Sequence, residues 1–310
     1  MPLELKHPHP RNDRIMFFDE VEWCGRKLYH VYFIDGECEH YINGRLVKGR
    51  SASGLAHYGF AYFDQEKKIA EMMVTSVLNP KNEYFGYTAE RIRQQWDDNR
   101  NRGTYIHRQV ELYLNGLPHD ADSEEFGFFL NFEADYPDLE IWNTELNLFS
   151  KHLLIPGQAD ALYRNAQGEF EIYDWKVCKK IYLTNVFCRC PRPGDAIQHI
   201  TYPDGSRCSA FGNIPLTRHL HDCNYQHYTN QLNIYRWLLK RYYGITAVRL
   251  VMVALHYPNQ TNYERYELEI REQYIEDLFM IRFNELYPNG KEDFERQWGK
   301  PSFAAPETRQ

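Results

Sequence analysis

The segment 143–176 constrains the fold of this chain more than any other, because it reads as three consecutive β-strands that each carry acidic residues. Apolar and polar residues alternate in three runs, and short polar breaks at 151–152 and 165–168 separate them. The ionisable residues at issue are Glu145 on the first run, Asp160 on the second, and Asp174 and Lys176 on the third. Residues two apart on a strand share a face, so Asp174 and Lys176 point the same way while Trp175 points into the opposite layer. The sequence therefore predicts three carboxylates and one ammonium at a single place.

Such a group of carboxylates is costly to assemble without a bound cation. Like charges repel, and one acid would have to keep its proton. A divalent cation relieves this repulsion, and carboxylate oxygens favour magnesium or manganese over zinc. Lys176 beside the cation could hold a water molecule or stabilise charge on a phosphorane, as metal-assisted phosphodiester cleavage requires. A lone Asp-x-Lys motif usually means a solvated strand end, so the metal-site interpretation depends on the other acidic residues around the motif.

Composition limits the class of protein. The 310 residues are enough for one large domain or two modest ones, and 43% hydrophobic with 15% aromatic residues predict a globular chain. The net charge of −7 argues against a surface coated in basic residues. A nucleic acid would therefore be bound by a local basic groove, with metal offsetting the acids at its floor.

Nothing in the sequence resembles a signal peptide or a membrane span. The first 13 residues are polar, and no apolar run approaches the roughly 18 residues that a spanning helix needs. Seven cysteines, an odd number without regular spacing, favour a reducing compartment. We expect an intracellular, soluble protein of the cytoplasm or nucleus.

The first 100 residues are predicted to form strands and helices that pack on the core. Asp35-Gly36 and Asn43-Gly44 are hairpin turn signals between apolar runs. A helix then begins near Ser51 or Ser53, whose hydroxyls would cap it. The same hydroxyls at a helix start could instead cradle a phosphate.

Residues 88–115 have helical spacing and a basic bias, which is typical of a solvated face or of a nucleic-acid groove. The arginines are Arg91, Arg93, Arg100, Arg102 and Arg108. His107 and Glu111 are four apart and share one face of this helix. Taken alone, His107 is more simply a structural residue than a ligand.

The segment 177–226 lacks a long periodic pattern and reads as an insertion. It begins with basic residues that include Lys179 and Lys180. A structural zinc site within 188–223 is the less favoured interpretation, because the ligand spacing is irregular, and a loop-rich insertion with free thiols is preferred. Its candidate zinc ligands are Cys188, Cys190, His199, Cys208, His219, His221 and Cys223. A strong helix follows at 228–243 and carries Gln231 and Tyr235 on one face.

Together these residues resemble the PD-(D/E)XK nuclease superfamily, and within it the RecB-like exonuclease branch with its Gln-x-x-x-Tyr motif. The similarity covers roughly residues 30–285. The motifs that carry it are, in chain order, His107 after Gly103-Thr104, Glu145, Gly157-x-x-Asp160, Asp174-x-Lys176 and Gln231-x-x-x-Tyr235. The chain lacks the Pro-Asp of the superfamily name before Asp160, and the insertion 177–226 carries no motif of the family.

This resemblance implies an α/β fold with a mixed central sheet flanked by helices. An N-terminal hairpin and helix extension (1–100) would precede a nuclease core (101–290), with the insertion 177–226 before the Gln-x-x-x-Tyr helix and a loosely attached tail (291–310).

The resemblance also implies roles for the site residues. Asp160 and Asp174 would be the main ligands of one or two Mg²⁺ or Mn²⁺ ions. His107 would complete the coordination, the Trp175 backbone carbonyl would face the same ion, and Glu145 would be an outer ligand or a ligand of a second metal ion. Lys176 would orient the attacking water. Gln231 and Tyr235 would hold the scissile strand or the Lys176 region. Apart from the resemblance, the residues expected from their charge or hydroxyl groups to contact substrate are Ser51, Ser53, Arg108, Lys179, Lys180 and Tyr235.

The function expected from the sequence is that of a metal-dependent deoxyribonuclease, most simply an exonuclease acting on linear or single-stranded DNA in recombination, repair or replication. A recombination, replication or repair protein would be a further partner, and similar nucleases occur in large DNA viruses and phages. Two alternatives stay open: an RNA or structure-specific endonuclease of the same superfamily, and a non-catalytic nucleic-acid-binding protein on the same fold. The complete set of acids and Lys176 disfavours the last.

Overall fold

The computed structural model describes residues 51–150, 152–184, 211–255 and 262–298, together with the backbone of four short strands earlier in the chain. The helices are α1 (Ala52–Ala56), α2 (Gln65–Val77), α3 (Ala89–Leu114), α4 (Glu124–Asp135), α5 (Asn224–Leu238), α6 (Glu272–Leu286) and α7 (Lys291–Trp298). The strands are β1 (Met16–Phe17), β2 (Val31–Ile34), β3 (Glu39–Ile42), β4 (Arg45–Leu46), β5 (Glu140–Ser150), β6 (Ile155–Arg164), β7 (Phe170–Lys176), β8 (Ala247–Ala254) and β9 (Glu264–Glu267).

The central sheet has five strands in the order β5-β6-β7-β8-β9. Its pairs are antiparallel except β7 and β8, which run parallel. A parallel pair needs a long crossover, and α5 lies within that crossover. The prediction of a mixed sheet flanked by helices is confirmed. A separate sheet pairs β1, β2, β3 and β4 in order, all antiparallel. The two hairpin turn signals predict the β2–β3 and β3–β4 pairs, and the pairing of β1 was not predicted.

Two apolar clusters cover the two faces of the central sheet. One joins α1, α5 and α6 to strand residues such as Leu162 and Ile172. The other joins α3 and α4 to Tyr173 and Trp175. Alternate residues of β7 therefore enter opposite layers, and Trp175 lies among the phenylalanines of α4 as the strand period predicts.

The long helix α3 carries His107 towards the sheet. It begins at the cap Thr88, whose side chain accepts a hydrogen bond from the backbone N–H of Arg91. Arg102 then forms a two-pronged ion pair with the fully buried Glu125 of α4, with Nη2 2.6 Å from Oε2. Because α3 is continuous from Ala89 to Leu114, it crosses the predicted boundary at residue 100.

Helix α5 begins at Asn224, four residues before the predicted helix start at 228. It continues into a single π-helical turn, Leu239–Tyr243, which ends at Gly244 with φ of 68°. Left-handed backbone of this kind is available to glycine at little cost. The predicted end of the helix at Gly244 is confirmed.

The predicted loose tail begins with the helix α7. The ring of Phe294 lies 5.7 Å from that of Phe283, 5.3 Å from that of Tyr287 and 5.5 Å from that of His152. Residues 299–310 lie outside the described part of the chain. Within the described ranges, no helix is long and apolar enough to cross a membrane.

Candidate metal centre

The site forms where the paired strands β6 and β7 part. Their ladder ends with the pair Ala161 and Tyr173. Beyond this pair, the Asp160 carboxylate takes the place of a partner strand and accepts a hydrogen bond from the Trp175 backbone N–H, with a nitrogen–oxygen distance of 2.8 Å. An acidic side chain thus lies in the gap between two strand ends.

Three ligand-type side chains converge at this gap. His107, Glu145 and Asp160 each offer one ligand atom, and these atoms lie within 4.8 Å of one another. His107 Nδ1 lies 3.4 Å from Asp160 Oδ2. The group combines one imidazole nitrogen with two carboxylate oxygens, and a divalent cation with mixed nitrogen and oxygen ligands, such as Mn²⁺, fits this donor set.

Glu145 reaches the group through an unusual backbone. Its φ is 49°, in the left-handed region, although it lies in the middle of the strand β5. Its neighbours Thr144 and Leu146 pair with Ala161 and Ala159 of β6, so Glu145 lies opposite Asp160. Left-handed backbone at a residue with a side chain costs energy and clusters at functional sites. We interpret the distortion as the means of turning this carboxylate towards His107.

The buried Asp174 forms an ion pair with Lys176. Its Oδ2 lies 2.5 Å from Lys176 Nζ, and its side chain is 1% exposed. The prediction that Asp174 and Lys176 share one face of β7 agrees with this ion pair. Among the described residues, His107, Glu145 and Asp160 form the group that could hold a metal ion, while Lys176 engages the Asp174 carboxylate. The predicted role of Asp174 as a main ligand stays a prediction.

Charge coupling accounts for the proton affinities of the site. Burial disfavours protonation of His107, but the Asp160 carboxylate outweighs burial and raises the pKa of His107 to about 9. Burial and the neighbouring Asp160 raise the pKa of Asp174 to about 6, against the effect of Lys176. Burial disfavours the Lys176 ammonium, yet the Asp174 carboxylate, followed by that of Asp160, raises the pKa of Lys176 above its ordinary value.

The predicted pair on α5 closes the site on its apolar side. Gln231 Nε2 donates to the Tyr235 hydroxyl at 2.6 Å. The ring of Tyr235 lies against Gly157, where an added Cβ would come within 2.8 Å of Tyr235 Cε1 and 3.0 Å of Ala52 Cβ. Glycine in the Gly157-x-x-Asp160 motif is therefore required by the close approach of α1 and α5 to β6.

The predicted substrate-contacting residues have varied partners. Ser51 is the cap of α1 and accepts from the Gly54 N–H, which agrees with the capping interpretation. Arg108 pairs with Glu111, and Lys179 pairs with Glu83 at 2.5 Å. The remaining ones, Ser53 and Lys180, are exposed.

The candidate zinc ligands of the segment 188–223 are a prediction separate from that of this centre. Cys188, Cys190, His199 and Cys208 lie outside the described residues. His219, His221 and Cys223 belong to no metal-ligand group within the part of the chain that the structure describes.

One residue of the site escaped sequence reasoning. The ring of Tyr228 lies beneath the Lys176 ammonium, which is 4.6 Å from the ring centroid. This is a cation–π contact that supplements the ion pair with Asp174. Its signal was present, since Tyr228 lies three residues before Gln231 on the same helix.

No protein-family model and no curated protein match this sequence. One solved structure, the crystal structure of SSO0001, is similar over 76% of this chain and 92% of that chain. The sequences are 16% identical and the TM-score is 0.22, a value too low for an inference about fold or function. Function must therefore be argued from the chemistry of the residues themselves.

Proposed function

We propose that this protein is a metal-dependent nuclease of the PD-(D/E)XK type that hydrolyses phosphodiester bonds in DNA, acting at ends or on single strands. The observation that carries the proposal is the convergence of His107, Glu145 and Asp160 next to the Asp174–Lys176 ion pair. Ligands for a cation and a fixed ammonium beside them are the two elements that water attack on a phosphodiester requires.

His107, Glu145 and Asp160 would hold Mg²⁺ or Mn²⁺, and the bound ion would supply Lewis acidity at a phosphate oxygen. His107 must lose its proton to become a ligand, so metal binding would release that proton. Asp160 is held for this task by the Trp175 N–H, which fixes the direction of its carboxylate.

Lys176 has an electrostatic role in this proposal. Its raised pKa keeps the ammonium charged at neutral pH, so it cannot take a proton from water. It can donate hydrogen bonds to a water molecule or to a phosphate oxygen and so stabilise negative charge. Asp174 and Tyr228 hold this ammonium in place from two sides.

Tyr235 would act as a neutral hydrogen-bonding group. Burial raises the pKa of its hydroxyl, so the phenol keeps its proton at any pH at which the enzyme would be measured. Gln231 donates to its oxygen, which leaves the phenolic proton free to point towards the acids or the substrate.

The test is a cleavage assay on matched substrates. DNA labelled at the 5′ or the 3′ end, linear duplex, single-stranded DNA, covalently closed duplex and RNA are incubated with Mg²⁺, with Mn²⁺ or with chelator. We expect metal-dependent loss of linear and single-stranded DNA, with closed duplex spared. Rapid linearisation of closed duplex would show an endonuclease instead, and preferential cleavage of RNA would move the substrate to RNA. Absence of cleavage of every substrate in both metals would refute the proposal.

Binding should also depend on salt in spite of the net charge of −7. Each neutralised phosphate releases counterions, so the logarithm of the affinity falls with the logarithm of salt concentration. We expect a slope equivalent to roughly a few phosphates for uncleaved DNA in calcium. A flat response would argue against a polynucleotide substrate.

A further inference from the structure

An aromatic surface lies exposed near the start of α2. The side chains of Tyr62 and Phe63 belong to residues that are 91% and 62% exposed. Single exposed aromatic residues are common, but contiguous ones mark a binding surface. These two residues precede Asp64, the N-cap of α2, and so are presented by the end of a helix.

The exposed rings continue into a connected set on α3 and the loop before it. The Phe63 ring lies 6.0 Å from that of Trp96, and Trp96 Nε1 donates to the Tyr84 hydroxyl at 3.3 Å. The ring of Tyr84 in turn meets that of Tyr87 edge-on at 6.0 Å. We call these four residues, Phe63, Tyr84, Tyr87 and Trp96, together with the exposed Tyr62 next to Phe63 in the chain, the aromatic strip.

The strip is joined to the segment that follows β7, the strand that carries Lys176. Glu83, next to Tyr84 in the chain, pairs with Lys179 at 2.5 Å. Lys179 is three residues beyond Lys176, so the Cα atoms of the two lysines lie within about 11 Å of each other. The strip is therefore tied, through Glu83, to the chain segment that directly follows β7.

Cations accompany the rings. The guanidinium carbon of Arg91 lies 3.9 Å above the centre of the Tyr87 ring, and Arg91 is exposed. Lys180 is exposed near Tyr182, at 5.6 Å from the ring centre. Neither side chain has a carboxylate partner within the described residues, whereas Arg93 is already bound by Glu66.

We propose that the aromatic strip binds unpaired bases of a single-stranded nucleic acid and leads that strand to the metal centre. Bases of any identity stack on aromatic rings, and nearby cations meet the phosphates between them. Paired bases cannot offer their faces in this way, so a duplex is a poor occupant. This inference rests on the proposed nuclease function, narrows its substrate to single strands and assigns the surface that binds them.

A second exposed apolar surface serves as a matched control. At the end of α2, Val74, Val77 and the C-cap Leu78 form an exposed aliphatic stripe with helical spacing. Aliphatic side chains have no flat π-face on which a base can stack. Removal of this stripe should therefore change apolar exposure without changing base binding.

The experiment measures fluorescence anisotropy of labelled oligo(dT) in calcium. Comparison ligands are an abasic oligonucleotide of the same length, which keeps the phosphates and lacks the bases, and a blunt duplex. For Tyr62→Ala with Phe63→Ala we expect oligo(dT) affinity to fall by about 5- to 150-fold for each base unstacked. Affinity for the abasic strand and for the duplex should stay unchanged. Tyr62→Phe with Phe63→Tyr should bind oligo(dT) like the wild type, since both rings remain.

Four results would overturn the inference. The double alanine variant could bind oligo(dT) with wild-type affinity, or it could lose affinity for oligo(dT) and for the abasic strand by the same factor. The control variant, Val77→Ser with Leu78→Ser, could also lose as much affinity for oligo(dT) as the double alanine variant does. A wild-type protein that binds no oligo(dT) would overturn it as well. Because binding is measured without cleavage, base-dependent binding with no hydrolysis in Mg²⁺ or Mn²⁺ would uphold the strip and refute the nuclease proposal.

Discussion

The Asp160 carboxylate accepts a hydrogen bond from the backbone N–H of Trp175, so a residue packed in one layer fixes an acid of the site. The Trp175 ring lies 5.2 Å from that of Phe129 and 5.4 Å from that of Phe132, in the core beneath α4. Core packing thereby holds the backbone that orients Asp160. His107 reaches the same carboxylate oxygen at 3.4 Å.

Asp160→Asn should abolish cleavage by removing metal binding. The amide keeps the shape of the side chain but loses the charge that offsets a cation. We expect the affinity for Mn²⁺, measured by calorimetric titration, to fall by at least about tenfold, the scale of losses at metal sites. The exposed Asp138 supplies the control, since Asp138→Asn should bind Mn²⁺ as the wild type does. Undiminished Mn²⁺ affinity of Asp160→Asn would remove this residue from the ligand set.

Lys176→Met should slow the chemical step by about 10²-fold or more while Mn²⁺ affinity stays near the wild-type value. It should also destabilise the fold by about 3–5 kcal/mol, because the buried Asp174 charge loses its partner. Adding Asp174→Asn should restore much of the stability, since the uncompensated charge is removed. Activity should stay low in the double variant. Urea unfolding and single-turnover cleavage measure the two effects separately, and wild-type cleavage by Lys176→Met would show that the catalytic strand is wrongly assigned.

Gly157→Ala should lower the free energy of unfolding by about 1–3 kcal/mol, because its Cβ would overlap the ring of Tyr235 and the Cβ of Ala52. Gly103→Ala is a matched control within α3, where an added Cβ meets nothing within 4 Å. Alanine favours a helix interior over glycine, so this control should gain about 0.8–1 kcal/mol. Equal effects of the two substitutions in urea unfolding would contradict the close packing at Gly157.

His57 should make the protein less stable as the pH falls. Burial of its ring and the neighbouring imidazole of His227, 4.1 Å away between centroids, lower its pKa from 6.5 to about 4, against the opposing effect of Asp222. Between these two values the unfolded chain binds the proton more readily than the folded protein does. The stabilising contribution is therefore complete above about pH 6.5 and is lost as the pH falls towards 4.

His57→Asn tests this dependence through thermal unfolding at a series of pH values. As the pH falls from 7 to 4, the Tm of the wild type should fall more steeply than the Tm of the variant. An NMR titration of the His57 ring reports the same pKa directly. A His57 ring that titrates at its ordinary value would contradict the prediction.

Several features of the site follow from sequence alone because they depend on local geometry. The strand period places Asp174 and Lys176 on one face and Trp175 on the other, and the structure has both. Helical spacing similarly places Gln231 and Tyr235 in hydrogen-bonding contact. Ser51 could be predicted as a cap for the same reason, since its side chain bonds to a backbone N–H only three residues further along the chain.

The tertiary structure alone decided which of the acids lie close to His107. Glu145 joins His107 and Asp160 because its backbone turns into the left-handed region, and no strand pattern predicts a positive φ in the middle of a strand. Asp174 instead pairs with Lys176, whose ammonium offsets the buried carboxylate charge. Side-chain period fixes the face on which a residue lies, but the parting of β6 and β7 and the approach of α3 fix the distances between charges. Those distances depend on contacts between residues that are far apart in the chain, and local sequence patterns do not predict such contacts.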